Sequence, residues 1–348
     1  MIGEPLTAGL IVRDTYTIVR HLGSGAFGDV YLARHRYMGV QALKVFIRQE
    51  GCDALEEAYL LAKLGHPNVV RMFEANEFEF DGQRLGYFSM EYVGGGTLQE
   101  YLNLNMPLSE RLQLGRDLLT GLSFAHEQTP PVIHRDISPT NILVERFPGG
   151  CTAKISDFGL AKHVDKHSLL ASAAGKYLYM APESFLGIHS TAADVYSAGL
   201  VIFQLLTGVH PFRVTLAASA TPREVADMVR KSRTQTVPNV TELSDSLDSA
   251  WNNLFHRALA TDYQERPATA GELLKAYCSI AMLCDQARGQ HDHQENIDDL
   301  IVQAKALAQQ TATLPEAINI LENACSTDRQ AAAQYAELLS LWKRGIVL

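Results

Sequence analysis

The octapeptide HRDISPTN, residues 134–141, carries an aspartate and an asparagine five positions apart, with an arginine just before the aspartate. That spacing suits a loop that handles a proton at Asp136 and a metal ion at Asn141 side by side. Upstream, Gly23-Ser24-Gly25-Ala26-Phe27-Gly28 places three glycines between two strand-like runs. A dinucleotide-binding fold would put a helix directly after such glycines. Here the strand pattern continues through Val30-Tyr31-Leu32, which suits a hairpin lid over phosphates, although glycines also mark plain hairpins. Lys44 lies in the strand-like run ALKVF, and Glu57 on the following helical segment offers a countercharge. Held inward by that charge, Lys44 would face anionic phosphates; otherwise it is a lysine snorkelling at the surface.

The elements that must position these groups follow from periodicity. Residues 16–47 are strand-like, residues 53–64 (DALEEAYLLAKL) have helical spacing, and strands follow at 68–80 and 84–93, joined by the turn pair Asp81-Gly82. After Gly94-Gly95-Gly96 the character changes to helices at 98–104, 108–126, 193–207, 222–231, 247–260 and 269–284. A β-rich lobe is thus followed by a helix-rich lobe, with the triple glycine as hinge. Further on, RGQHDHQEN reads as a linker to three short helices at 297–307, 315–325 and 328–342, with Pro315 suited to a first turn and Ser326-Thr327-Asp328 to a cap.

Composition bounds the function. At 348 residues, 47% hydrophobic and 20% charged, the chain has the make-up of an ordinary globular protein. A net charge of −9 argues against a nucleic-acid surface. Five cysteines at scattered spacings, without a CxxC pair, form neither a zinc site nor a disulfide framework. There is no cationic, apolar leader and no apolar run of membrane-spanning length, so a cytoplasmic protein without a membrane role is expected.

Further pieces stand in a telling order: Asp157-Phe158-Gly159 after the strand-like TAKI, then Ala181-Pro182-Glu183, then Asp194 opening an apolar helix, then Arg266 in ERP, where it could pair with Glu183. With the glycine loop, Lys44 and HRDISPTN, they resemble the eukaryotic-type (Hanks-type) Ser/Thr protein kinases, most closely the bacterial ones, over residues 16–283. The resemblance implies an α+β, bilobal protein-kinase fold. An N-terminal lead (1–15) would precede the kinase domain (16–285, lobes 16–93 and 97–285), with a short all-α extension at 286–348.

It also implies roles. The loop of Gly23, Gly25 and Gly28 would cover the phosphates of ATP, with Lys44 on the α- and β-phosphates and paired with Glu57. Asp136 would be the catalytic base, and Asn141 and Asp157 would hold Mg²⁺, with Mn²⁺ as a substitute. Leu22, Val30, Ala42 and Leu143 would sandwich adenine. Met90 would be the gatekeeper, and residues Glu91 to Val93 would bind the base through the backbone. Leu61, Met72, His134 and Phe158 would stack into an apolar spine. Apart from the family, phosphoryl transfer needs charge neutralisation and alignment more than covalent help, and these residue types supply both.

Two positions depart from the family pattern. Ser138 stands where a phosphate-holding lysine is usual, and Lys176, in AGKYLYMAPE, stands where a threonine is usual. An exchange follows as a hypothesis: Lys176 supplies the charge and Ser138 the bridging hydroxyl over Asp136. Pro139 favours Ser/Thr acceptors, while Thr97 and Thr140 sit where arginine-directed kinases carry acids. Arg135 would allow switching by phosphorylation, with Ser172 preferred over Ser168 as the modified residue. The expected partner is a protein with a Ser/Thr acceptor, and residues 290–348 are a candidate for self-association or partner binding. The rival reading is a pseudokinase, an ATP-binding scaffold that acts through those helices.

Overall fold

The computed structural model describes residues 6–25, 28–47, 65–158, 177–214, 221–308, 313–327 and 329–343. The expected helix at 53–64 with Glu57 and Leu61, and the stretch 159–176 with Ser168, Ser172 and Lys176, lie outside the described residues.

Among the described residues, six antiparallel strands come first: β1 (Ile11–Val12), β2 (Tyr16–Gly25), β3 (Gly28–His35), β4 (Gly39–Ile47), β5 (Met72–Phe80) and β6 (Gln83–Glu91), in sheet order β1-β2-β3-β4-β6-β5. Alternation decides which side chains go where. Tyr16, Ile18, Tyr31, Ala33, Leu43, Val45, Leu85 and Tyr87 fill a core on one face, closed by Leu6 and Val12 of the N-terminal lead. The register places Val30 opposite Lys44, Lys44 opposite Phe88 and Ala42 opposite Met90, so these five share the other face. The glycine-rich stretch is a β2–β3 hairpin with Gly25 across from Gly28, not a turn into a helix. Gly28 has φ +134°, and a Cβ there would lie 2.0 Å from the Val45 carbonyl oxygen, so only glycine lets β3 approach β4 this closely. At the β5–β6 turn, Asp81 and Gly82 both take positive φ, 50° and 75°, as a two-residue hairpin requires.

The second lobe is helical: α1 (Leu98–Tyr101), α2 (Leu108–His126), α3 (Thr191–Thr207), α4 (Pro222–Ser232), α5 (Ala250–Ala258) and α6 (Ala270–Ala308), with the hairpin of β7 (Ile142–Phe147) and β8 (Gly150–Ile155). Helix α3 begins where the Ser190 side chain accepts from Ala193 N, and it ends at Gly208, in the left-handed region. The triple glycine is pinned rather than free. A Cβ on Gly95 would lie 2.0 Å from the Val144 carbonyl oxygen, and Val144 N donates to Gly96 O at 2.9 Å. Glycine is used here for close approach to β7, a role that composition does not distinguish from flexibility.

The chain divides into two compact units, Met1–Ile280 and Ala281–Leu348. The stretch expected as a linker is helical, within α6. It holds one glycine and no proline, and its polar residues cost a helix only tenths of a kcal/mol each, roughly 0.7 at most, so polarity alone does not end it. The second unit has its own core: Ile301, Ala304 and Ala308 of α6 meet Ala317, Leu321 and Ala324 of α7 (Leu314–Thr327) and Ala331 and Trp342 of α8 (Arg329–Lys343). Among the described residues, no helix is long and apolar enough to cross a membrane.

Candidate active site

Catalytic-loop geometry is set from below by one buried carboxylate. Asp194, in the first turn of α3, accepts from His134 N (2.7 Å) and Arg135 N (2.9 Å), and its Oδ2 lies 3.1 Å from His126 Nε2. Ala270 N donates to His126 Nδ1 at 3.1 Å, which fixes the proton on Nε2 and makes that nitrogen the donor to Asp194. Arg135 thereby keeps φ +71°, a left-handed conformation that the two amide bonds hold in place. The signal was present in the sequence: Asp194 is the only charged residue in α3. A lone acid in an apolar helix implies buried donors, but nothing says which ones.

From this anchor the loop rises to Asp136. Asn141, buried at the end of a 3-10 turn (Pro139–Asn141), donates through Nδ2 to the Asp136 carbonyl (2.7 Å) and to its carboxylate Oδ2 (2.9 Å). That leaves Asn141 Oδ1 as the oxygen to face a cation. Ser156 N donates to Asn141 O at 2.9 Å and Ser156 Oγ to the same atom at 3.1 Å, while Ser156 O meets His134 Nε2 at 2.8 Å. These bonds tie the loop to the residues after β8, where Asp157 takes φ +61°. The Phe158 ring lies 4.6 Å from that of His134, as the expected spine requires of this pair.

Lys44 reaches the same place from the sheet. Its Nζ lies 2.7 Å from Asp157 Oδ1, with the side chain 5% exposed and that of Asp157 29%. So Lys44 is turned inward, as expected. The contact the structure shows is to Asp157, whereas Glu57 lies outside the described residues. Val30, Ala42 and Met90 share the Lys44 face, Leu22 is half-buried in β2, and Val93 is buried. Leu143 of β7 bridges to Thr97 beside the glycine run. Glu91 is braced on both sides: Lys154 Nζ lies 2.5 Å from its Oε1 and Arg71 N donates to its Oε2 at 3.3 Å, neither of which was foreseen. Ser138 is buried, its Oγ 3.0 Å from that of Thr140. The exchange with Lys176 involves a residue outside the described set.

Glu183 and Arg266 meet as expected, at 2.7 and 2.9 Å in a two-toothed pair. Arg266 also donates to the carbonyls of Ala192, Ala260 and Thr261, and its guanidinium lies 4.5 Å from the Tyr196 ring.

A sheet lobe and a helical lobe, with an inward lysine, oxygen donors on Asn141 and Asp157 and a positioned Asp136 between them, make up the arrangement of a protein-kinase domain. The model of the protein kinase domain matches residues 16–278, and the chain belongs to the protein kinase family. It is similar to serine/threonine kinases of bacteria. It is 28% identical to the probable serine/threonine-protein kinase PknB of Lactococcus lactis over 93% of this chain and 51% of that protein. With the serine/threonine-protein kinase PknJ of Mycobacterium tuberculosis identity is 34%, over 78% and 46% of the two chains. With PrkC of Bacillus subtilis it is 29%, over 76% and 40%. The chain spans about half the length of the curated relatives it matches.

Proposed function

We propose that this protein transfers the γ-phosphoryl group of ATP, with Mg²⁺, to serine or threonine hydroxyls of a protein substrate. The observation that carries the reading is the joined set of Asp136, Asn141, Asp157 and Lys44: Asn141 grips the Asp136 carboxylate, Ser156 ties Asn141 to Asp157, and Asp157 meets Lys44. Asp157 and Asn141 offer hard oxygen donors, a set that fits Mg²⁺ and does not suit a soft metal. When bound, Mg-ATP supplies the phosphoryl group and neutralises its charge.

The residues of the chain do the rest. Asp136, oriented by Asn141, accepts the hydrogen bond of the acceptor hydroxyl and turns its oxygen toward the reaction. Lys44 brings a cation to the phosphate end, and the Gly23–Gly28 hairpin covers it. Val30, Ala42, Leu22 and Leu143 provide apolar walls for a flat base, and residues 91–93 the backbone groups at its edge, with Met90 behind it. Lys176 supplies the cation that Ser138 does not. A protein acceptor is favoured over a small molecule by the Glu183–Arg266 pair, which builds the segment after the site into the helical lobe.

The test is intact mass after incubation with Mg-ATP, with and without a generic acceptor protein, for the wild type, Asp157→Ala and Lys176→Ala. Phosphate gain in the wild type, none in Asp157→Ala and a severe loss in Lys176→Ala is the expected result. One specific observation favours the scaffold reading: the buried Ser138 hydroxyl gives the loop no cation. A wild type that gains no phosphate on itself or on the acceptor, yet still binds ATP, would establish that alternative.

A further inference from the structure

The β2–β3 hairpin is not a regular pair of strands. Strand β2 is bulged twice against β3, once between Ile18 and Arg20 and once between His21 and Gly23. The second bulge leaves Leu22 outside the pairing, so His21 stands opposite Tyr31 and Ser24 opposite Asp29. In a regular strand, residues three apart point to opposite faces. The extra residue brings His21 and Ser24 to one face, together with Tyr31 and Asp29. Val30, between those two in β3, belongs to the Lys44 face. The group therefore lies on the side of the hairpin away from Lys44.

On that side one imidazole nitrogen serves two partners. His21 Nε2 lies 3.3 Å from Ser24 Oγ and 3.6 Å from Asp29 Oδ1. The His21 ring meets the Tyr31 ring edge-on, with centroids 5.2 Å apart. Tyr31 Oη in turn accepts from Leu6 N of the N-terminal lead at 3.1 Å. The Asp29 side chain is 13% exposed and that of His21 41%. Among the described residues, His21 is the only basic side chain paired with Asp29, and it is a cation only when protonated. A carboxylate set this deep is costly without a countercharge. Attraction across the hairpin thus depends on the proton of His21.

The neighbours leave His21 as the group that changes charge. The titratable or charged groups that face it among the described residues are Asp29 and Tyr31, both of β3. Burial raises the Tyr31 phenol above its ordinary value, so Tyr31 carries no charge near neutrality. Strand β2 adds the neutral Ser24, and β4 sets the apolar Val45 opposite Asp29.

We propose that His21 is a positioning residue, a charge latch that closes on Asp29 across the glycine-rich hairpin when protonated and keeps the hairpin shaped for the phosphates of ATP. The proposal rests on the protein-kinase reading above and adds a pH dependence to its nucleotide site.

The test has two independent arms on the full chain, each run at about pH 6 and about pH 8, toward the two ends of the histidine range. His210 is silent there, because burial, reinforced by the charge of Arg233, holds its pKa down to about 4. In the first arm, Kd for Mg-ATP is read by calorimetry and KM for ATP from phosphorylation of myelin basic protein. ATP itself takes up a proton, so each variant is compared with the wild type at the same pH. His21→Gln should match the wild type at the higher pH and bind about threefold more weakly at the lower, as for a lost, partly exposed ion pair. Asp29→Asn keeps the imidazole without its partner and should lose the pH dependence in the same way. His21→Lys is charged at both values and should hold the tighter binding throughout. In the second arm, amide hydrogen exchange is read without nucleotide. Exchange in residues 21–25 and 28–31 should be faster in His21→Gln than in the wild type at the lower pH only, with β7 and β8 unchanged.

Equal exchange at both pH values would overturn the latch. A pH dependence of binding that survives in Asp29→Asn would overturn it too, since the charge would then act on the phosphates directly. Altered exchange with unmoved ATP constants would overturn the positioning role. A wild type that neither binds Mg-ATP nor turns over would refute the kinase reading, and exchange would still judge the latch.

Discussion

Replacing Glu183 with alanine should destabilise the helical lobe by about 4 kcal/mol, the middle of the range for breaking one side of a buried ion pair. The structure shows where the cost arises. The five N–H bonds of the Arg266 guanidinium are all used, two on Glu183 and three on the carbonyls of Ala192, Ala260 and Thr261. Glu183→Ala strands two donors and leaves the charge without a counter-ion at a side chain that is 0% exposed. Each stranded donor costs about 1–3 kcal/mol, and the Tyr196 ring face returns only about 1 kcal/mol. Glu183→Gln keeps one acceptor and should lie near half the alanine cost. The double variant Glu183→Leu/Arg266→Met removes the charge with its partner and should be less destabilised than Glu183→Ala alone. Urea unfolding followed by the fluorescence of Trp251, which is fully buried in α5, reports on this unit. A Glu183→Ala loss below about 1 kcal/mol, or a double variant whose loss equals the sum of the singles, would refute the reasoning.

Two further outcomes follow from the same geometry. His210 has a folded pKa of about 4 against 6.5 unfolded, so the unfolded chain takes up its proton first as pH falls. Its contribution is intact above pH 6.5 and is lost between there and about pH 4, by about 3 kcal/mol in all, so the stability–pH profile of His210→Gln should be flatter over that window. Gly28→Ala should lower the thermal midpoint sharply, since its Cβ would meet the Val45 carbonyl at 2.0 Å with φ at +134°. Gly23→Ala, with open space around the added carbon, should cost no more than about 1 kcal/mol, and equal midpoints for the two variants would count against this reading.

The parts legible in sequence were those that local chemistry determines. The Asp81-Gly82 turn, the β2–β3 hairpin and the bounds of α2 follow from φ requirements and from periods of 2 and 3.6. The inward Lys44 was expected only with Glu57 as its countercharge and is seen against Asp157, while the Glu183–Arg266 pair followed from motif order. What escaped was set by contacts distant in sequence. Asp194 meets residues 60 and 68 positions away, and Lys154 meets Glu91 from 63 away. Composition misled where one residue type serves two purposes. Gly95 looked like a flexible joint and is a close-packing contact, and the polar stretch inside α6 looked like a tether and is a helix.

The geometry of the loop around Asp136 depends on backbone bonds more than on the side chains proposed to react. Arg135, just before Asp136, and Asp157, the aspartate proposed to hold the metal, are two of the five non-glycine residues with positive φ among the described residues. Each such conformation costs about 1–3 kcal/mol and persists only where its surroundings over-determine it. The surroundings are visible here: Asp194 grips the amides of His134 and Arg135, and His134 and Asn141 grip the backbone of Ser156. All four bonds use main-chain groups and buried polar atoms of the helical lobe, and none uses the carboxylates of Asp136 or Asp157. A substitution at either aspartate can therefore silence chemistry without releasing the loop. A substitution at Asp194 would release it while leaving every reacting group in the sequence.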